Sequence, residues 1–410
     1  MKKTLLRKYA KLIAGVGANV KRGQGVRIRA SVEMHDFAVM VAEECYRLGA
    51  SYVMTDWLCP PLDKLAYRHQ TLKRLSTVEN WRLEKMKFLS EDLPASIYIV
   101  SDDPDGMNGV NLEKMQKARM ATYPLMKPYI DAMESKYQWT IAAAAGEAWA
   151  KKVFPDLKKS QAVEKLWECI LDAVRVKDDP DNDPFAEWAR HNENFRQRCA
   201  WLNSQKFDYL TYKSSNGTDF KCWLMPEGIW CGGGEKTLGG VYFNPNLPTE
   251  EVFTSPKAGM AEGTLVSTKP LSYNGVLIDN FRIRFEKGRA VEWHAEKGEE
   301  ALTRMIGLDE GAAMLGELAL IPMSSPICKS GILYYETLFD ENASCHVALG
   351  RGFNECVEGY SDLTQEQIRA LGVNDSMVHT DFMIGAPDMC ITGWKNGKAT
   401  PIFINGEWAD

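Results

Sequence analysis

The sequence has no apolar run near the roughly 20 residues that a membrane-crossing helix needs. It has ten cysteines and none of them stands in a CxxC pair, so zinc-finger and thioredoxin-type motifs are absent. The expected state of those thiols is free and mostly buried. HExxH and HxxEH are missing, which removes the single-zinc helical proteases, and no G-x-S-x-G elbow provides a nucleophilic serine. The net charge is -6 and no basic block breaks it, which argues against a nucleic-acid partner. The start, Met1 to Tyr9, is basic but lacks an apolar core of signal-peptide length, so a cytoplasmic protein is expected. No internal repeat or low-complexity tract is present, which leaves packed domains as the expectation.

A chain of 410 residues is long enough for two such domains. The N-terminal half reads as alternating α and β. Leu12, Ile13 and Val16 have helical spacing, and Val26 to Ala30 alternates as a strand. His35 to Leu48 is an amphipathic helix stopped by Gly49. Strands follow at Ser51–Thr55, Ala95–Val100 and Trp139–Ala143, with helical patterns between them. The pattern predicts an α/β domain over 1–204 with a largely parallel sheet. Asp179, Asp181 and Asp183 resemble the start of a calcium loop, but Pro184 occupies its glycine position and Arg190 its closing glutamate position. Asp183-Pro184 reads instead as a cap and first-turn proline for a helix from Phe185 to Asn203.

From about residue 205 the pattern becomes strand-rich, predicting an α+β catalytic domain over 205–410. Strands are expected near 209–212, 220–224, 240–243, 263–267, 281–285 and 290–294, the last two joined by a turn at Gly288-Arg289. A short helix should cover Glu299 to Ile306. Gly232-Gly233-Gly234-Glu235-Lys236-Thr237 imitates a phosphate loop, but Glu235 stands where glycine must precede the lysine.

Only six histidines occur, and two of them, His346 and His379, lie in apolar runs. Glu317 lies among Leu315, Leu318 and Leu320, and Glu251 precedes Val252-Phe253-Thr254. Buried imidazoles and carboxylates need one another or a cation. His379 and Asp381 are two apart, so on a strand both leave the same face. Two Glu, two His and one Asp suit a pair of divalent ions such as zinc, cobalt or manganese. Taken singly, each is more often a hydrogen-bonded structural residue, and spacing alone does not bring them together in space.

Four stretches resemble the motifs of the aminopeptidase T / aminopeptidase S / aminopeptidase II family. They are Asn246-Leu-Pro-Thr-Glu-Glu-Val-Phe-Thr254, Gly316-Glu-Leu-Ala-Leu320, Cys345-His-Val-Ala-Leu-Gly350 and His379-Thr-Asp-Phe-Met-Ile-Gly385. The resemblance implies that Glu251, Glu317, His346, His379 and Asp381 are metal ligands for two ions, zinc or cobalt, with manganese or magnesium possible. It further implies removal of N-terminal residues from peptides with a free amino end, and a homodimer. The family commonly carries a tyrosine seven residues after the first histidine; here that position is Phe353, and Arg351 or Tyr360 is a candidate replacement donor. The expected mechanism is attack by a hydroxide bridging two metals, with Glu251 or Glu317 between the ions and Glu317 a possible proton shuttle. The N-terminal domain is expected to shape or cover the site, within one chain or across a dimer. The alternatives are a dimetal hydrolase of another amide or ester, and a metal-binding protein without catalysis.

Overall fold

The structure, a computed structural model, describes residues 1–273 and 275–409. The chain forms two compact units, Met1–Ala189 with Gly234–Pro248, and Arg190–Gly233 with Thr249–Asp410.

The first unit is built on a parallel sheet. Its strands are β1 (Gly25–Ser31), β2 (Tyr52–Leu58), β3 (Ala95–Val100) and β4 (Trp139–Ala143). The order is β4-β3-β1-β2, and the two-residue strand Asn246–Leu247 is added outside β4. Parallel neighbours need long crossovers, and helices His35–Arg47, Asn80–Asp92 and Leu112–Met133 provide them. The first of these ends at Gly49, whose φ of 94° is the left-handed stop expected from the sequence. Val26, Ile28, Ile97 and Ile99 lie on one buried face of this sheet, while Arg27, Arg29, Ser96 and Tyr98 on the alternate face are half-buried. The acidic linker resolves as a helix start: Phe185 N donates to Asp183 Oδ1 at 3.0 Å, opening the helix Pro184–Gln205.

The second unit contains two antiparallel sheets. The larger runs through Val276–Glu286, Pro256–Val266, Asp219–Leu224, Tyr209–Lys213 and Cys390–Lys395, with Arg289–Lys297 beside the first. The hairpin turn is Lys287-Gly288, with φ of 48° and 75°; Arg289 already pairs with Glu286. The turn thus falls one residue earlier than Gly288-Arg289. The helix Glu299–Ile306 lies where the sequence places it.

The smaller sheet consists of β5 (Cys231–Gly232), β6 (Val252–Thr254), β7 (Leu315–Leu320), β8 (His346–Gly350) and β9 (His379–Met383), in the order β9-β8-β7-β6-β5. Phe220, Leu265, Phe281 and Phe285 of the larger sheet share one apolar core with Leu318, Val347, Leu349 and Phe382 of the smaller. The Phe281 and Phe382 rings meet at 5.3 Å between centroids. The opposite face of the smaller sheet is where the ionisable groups collect.

Candidate metal centre

Alternation along the strands decides which side chains face the site. Leu318 and Leu320 of β7, Val347 and Leu349 of β8, and Phe382 of β9 point into the core. That leaves Glu317, His346, His379 and Asp381 for the other face. In β7 a bulge corrects the phase: Leu315 pairs with Leu349 while Glu317 pairs with Ala348, so Gly316 is the extra residue. A Cβ on Gly316 would lie 2.3 Å from the Arg351 carbonyl oxygen, so only glycine fits there. Without that extra residue Leu315 and Glu317 would share a face. Glu317, Ala348 and Asp381 form one row across β7, β8 and β9. The methyl of Ala348 leaves the two carboxylates room to approach.

The five sequence candidates converge. His346 Nε2 lies 3.3 Å from Glu251 Oε2, 4.0 Å from Glu317 Oε1 and 3.9 Å from Asp381 Oδ1. His379 Nε2 lies 3.1 Å from Glu317 Oε2 and 3.3 Å from Asp381 Oδ1. Two triads emerge, Glu251–Glu317–His346 and Glu317–His379–Asp381, and Glu317 belongs to both. Each imidazole is oriented through its other nitrogen. His346 Nδ1 sits 2.9 Å from the Glu341 carbonyl oxygen, and His379 Nδ1 sits 2.7 Å from that of Arg351. A carbonyl accepts only, so Nδ1 carries a proton, and loss of the Nε2 proton would turn that nitrogen's lone pair to the site.

The electrostatics report crowding of negative charge. Burial, reinforced by the charges of Glu251 and Asp381 and only partly offset by a hydrogen bond from His379, pushes the Glu317 carboxyl up to about 7. Burial acts to lower His346, but its hydrogen bond to Glu251 and the surrounding carboxylates prevail and raise it to about 10. The same contest, with Asp381 the strongest charge, raises His379 well above the usual imidazole range. Burial works against the Asp381 carboxylate, yet the positive His379 holds it at about 2. With no cation, protons on the imidazoles offset part of that negative charge. Asp381 Oδ1 is buried with no well-directed hydrogen bond, its near neighbours being the Nε2 atoms of His379 at 3.3 Å and His346 at 3.9 Å. Oxygen and imidazole donors with one orphaned carboxylate oxygen fit a divalent ion of the zinc class.

Two candidates take other places. The Arg351 guanidinium is exposed, and what Arg351 brings to the centre is its carbonyl on His379. Tyr360 packs with Met225 and Val357 in a small satellite core. The Phe353 ring stands against His379 at 4.8 Å and Phe253 at 5.3 Å. The sequence reading missed Glu341, a sixth ionisable group. Burial first, then the charges of Asp381 and Glu251, raises its carboxyl well above the ordinary range. It also missed Asn342, fully buried, whose Oδ1 accepts from Glu250 N at 2.7 Å and whose Nδ2 donates to the Leu338 carbonyl at 3.0 Å. The signal available was an acidic and amide run, Asp340-Glu341-Asn342, directly after apolar Leu338-Phe339.

A buried carboxylate–imidazole set with shared membership and open Nε2 atoms defines a metal-dependent protein, and the comparisons give its kind. Residues 2–408 match the thermophilic metalloprotease (M29) family, to which this chain belongs. Aminopeptidase AmpS of Bacillus subtilis is 38% identical over 406 residues, 98% of each chain. Aminopeptidase T of Thermus thermophilus is 38% identical over 405 residues, again 98% of each. The solved wild-type AmpT from Thermus thermophilus superimposes with a TM-score of 0.91 over 100% of both chains. The whole two-part architecture is therefore the AmpT fold.

Proposed function

We propose that the chain is a metal-dependent aminopeptidase whose centre takes two divalent ions, one in each triad, with Glu317 shared between them. The observation carrying this reading is the pair of triads joined at Glu317, together with the orphaned Asp381 Oδ1. Glu251, Glu317 and His346 would hold one ion, and Glu317, His379 and Asp381 the other. When bound, such ions polarise a carbonyl oxygen and bring the pKa of a coordinated water towards roughly 7.

The chain's own residues prepare the site. The Glu341 and Arg351 carbonyls aim His346 and His379 before any ligand arrives, so that loss of the Nε2 proton leaves each ring already directed at the site. Membership in both triads favours Glu317 as a shared ligand over a proton carrier. Four carboxyl groups, Glu251, Glu317, Glu341 and Asp381, share the pocket with two imidazoles, and the raised imidazoles record its negative potential. That negative potential is what two divalent ions would neutralise on binding, so it supports cation occupancy of the pocket. The aminopeptidase names of the relatives support peptides as the substrate class.

The first unit suits a partner subunit. Its residues Trp57, Leu62, Trp81 and Leu125 expose between 45% and 66% of their surface, apolar side chains that a second subunit would cover. We read this as the face of a homodimer.

The test is a peptide digest by the full chain, before and after exhaustive chelation and then with zinc or cobalt restored. Peptides should shorten one residue at a time from the amino end, stop after chelation and resume with metal. Internal cleavage, or full turnover by protein that metal analysis shows to be empty, would refute the reading. Light scattering on the same preparation should give twice the chain mass; a monomer would remove the second subunit from the proposal.

A further inference from the structure

Outside the ionisable face, the chemistry not yet accounted for is a group of thiols under one edge of the smaller sheet. Segments 227–231 and 355–358 run side by side. Ile229 N donates to the Cys356 carbonyl at 2.8 Å, Glu358 N to the Glu227 carbonyl at 2.9 Å, and Gly228 bridges Val357. This pairing brings two cysteines close together. The Cys231 thiol lies 3.5 Å from the carbonyl oxygen of Glu355, the residue before Cys356, and the two thiols are near enough to influence one another's ionisation. Cys231 is half-buried and Cys356 is buried. A third thiol, Cys199 on the helix Pro184–Gln205, also neighbours Cys231.

Both partners sit on segments that support the centre. Cys231 lies on β5 directly opposite Phe253 of β6, two residues beyond Glu251. Cys356 closes the turn Asn354–Cys356, which follows Arg351 and Phe353. The Arg351 carbonyl orients His379, and the Phe353 ring packs on it. A bond between the two sulfurs draws this turn onto β5 and so acts on the His379 support.

We propose that Cys231 and Cys356 are a redox pair whose disulfide pins the 351–356 turn to β5 and lowers turnover at the metal centre, reversibly. The oxidant is a small-molecule disulfide. The more accessible Cys231, as thiolate, attacks one of its sulfurs; that S–S bond breaks and one small thiolate leaves. The Cys356 sulfur, giving up its proton, then attacks the Cys231 sulfur of the mixed disulfide, and the second small thiolate leaves. Two protein thiols are oxidised and one disulfide is reduced to two thiols. Transient bonds of this kind are the usual form of disulfide in a reducing compartment. The effect on turnover rests on the aminopeptidase reading; formation of the bond does not.

The experiment treats the metal-loaded full chain with glutathione disulfide and follows it by mass spectrometry of a non-reducing digest and by peptide turnover. A Cys231–Cys356 linked peptide should accumulate while turnover falls about tenfold or more, and dithiothreitol should reverse both. Cys231→Ser and, separately, Cys356→Ala should keep their turnover under oxidant. A persistent glutathione adduct on Cys231, a Cys231–Cys199 link, or no modification would overturn the pairing. A fully linked chain with undiminished turnover would overturn the regulatory role. A chain that links as expected but shows no peptidase activity even when reduced points instead to failure of the aminopeptidase reading.

Discussion

The two sheets of the second unit obey the same two-residue alternation and put their polar faces in opposite surroundings. Over residues 281–286 the buried residues Phe281, Ile283 and Phe285 alternate with polar residues, and Arg282 and Glu286 stand in water. In β7 and β8 every residue is buried, on both faces. A polar side chain on a wet face needs nothing further. On a dry face it must find a partner or accept a large desolvation cost. The larger sheet therefore says only which way the core lies. In the smaller one, buried acids and imidazoles with nothing else to compensate them mark the place where a ligand belongs.

The hardest way to break this comparison is to remove a group from the dry face. His346→Ala and Asp381→Ala should each lower hydrolysis of aminoacyl-arylamides on the order of a thousandfold, since either change dismantles one triad. Circular dichroism should stay close to that of the parent, because the core face of the sheet is untouched. Metal analysis should show each variant binding less than the parent. Near-parental turnover in either variant would mean that the convergence at Glu317 is structural and that chemistry happens elsewhere.

A gentler test uses pH on the metal-free chain. Glu317 is raised to about 7 in the fold from its ordinary 4.5, so the folded state holds a proton that the unfolded state has released. The stability from that proton is complete below about 4.5 and is lost as pH rises through 7. His346, raised to about 10 from 6.5, contributes in the same sense: its share is complete below 6.5 and is lost as pH rises through 10. Chelated protein should therefore melt at progressively lower temperature from pH 5 to 9, and Glu317→Gln should flatten the acidic part of that slope. With metal bound, cations replace the protons and the decline should largely vanish. Equal slopes with and without metal would mean that these groups are not its ligands.

The same contrast explains what could be read before the fold was seen. Parallel strands, the helix stop at Gly49 and the cap at Asp183 are local signals, set by a few neighbouring residues, and the structure repeats them. His379 and Asp381 were readable as a same-face pair because a strand fixes that geometry. Convergence of Glu251 and His346 with them was not, since it depends on register across four strands and on one extra residue at Gly316 that resets β7. The turn at Lys287-Gly288 was displaced by one residue because a lysine in the left-handed region leaves no compositional mark. Glu341 escaped notice because it lies on a short turn, not on the sheet, and no strand period points to it. The segment 234–248 joins the first unit through a two-residue strand, too short for any periodicity to reveal.

The smallest effect is expected on the wet face of the larger sheet. Arg284 is a charged residue there, as Asp381 is on the dry face, and it is well partnered: its Nε lies 2.9 Å from Glu292 and its Nη1 contacts Glu286. These hydrogen bonds raise the guanidinium further above its ordinary range. Yet the side chain is 40% exposed, so water and salt screen both pairs and either acid can be solvated when the arginine is gone. Arg284→Ala should leave peptide turnover, metal content and the pH dependence of melting unchanged, with at most a slight shift in melting temperature that added salt erases. If this exposed pair proved to be worth as much to activity as His346, solvent exposure would not be what separates the two sheets, and the dry polar face would lose its claim to mark the site.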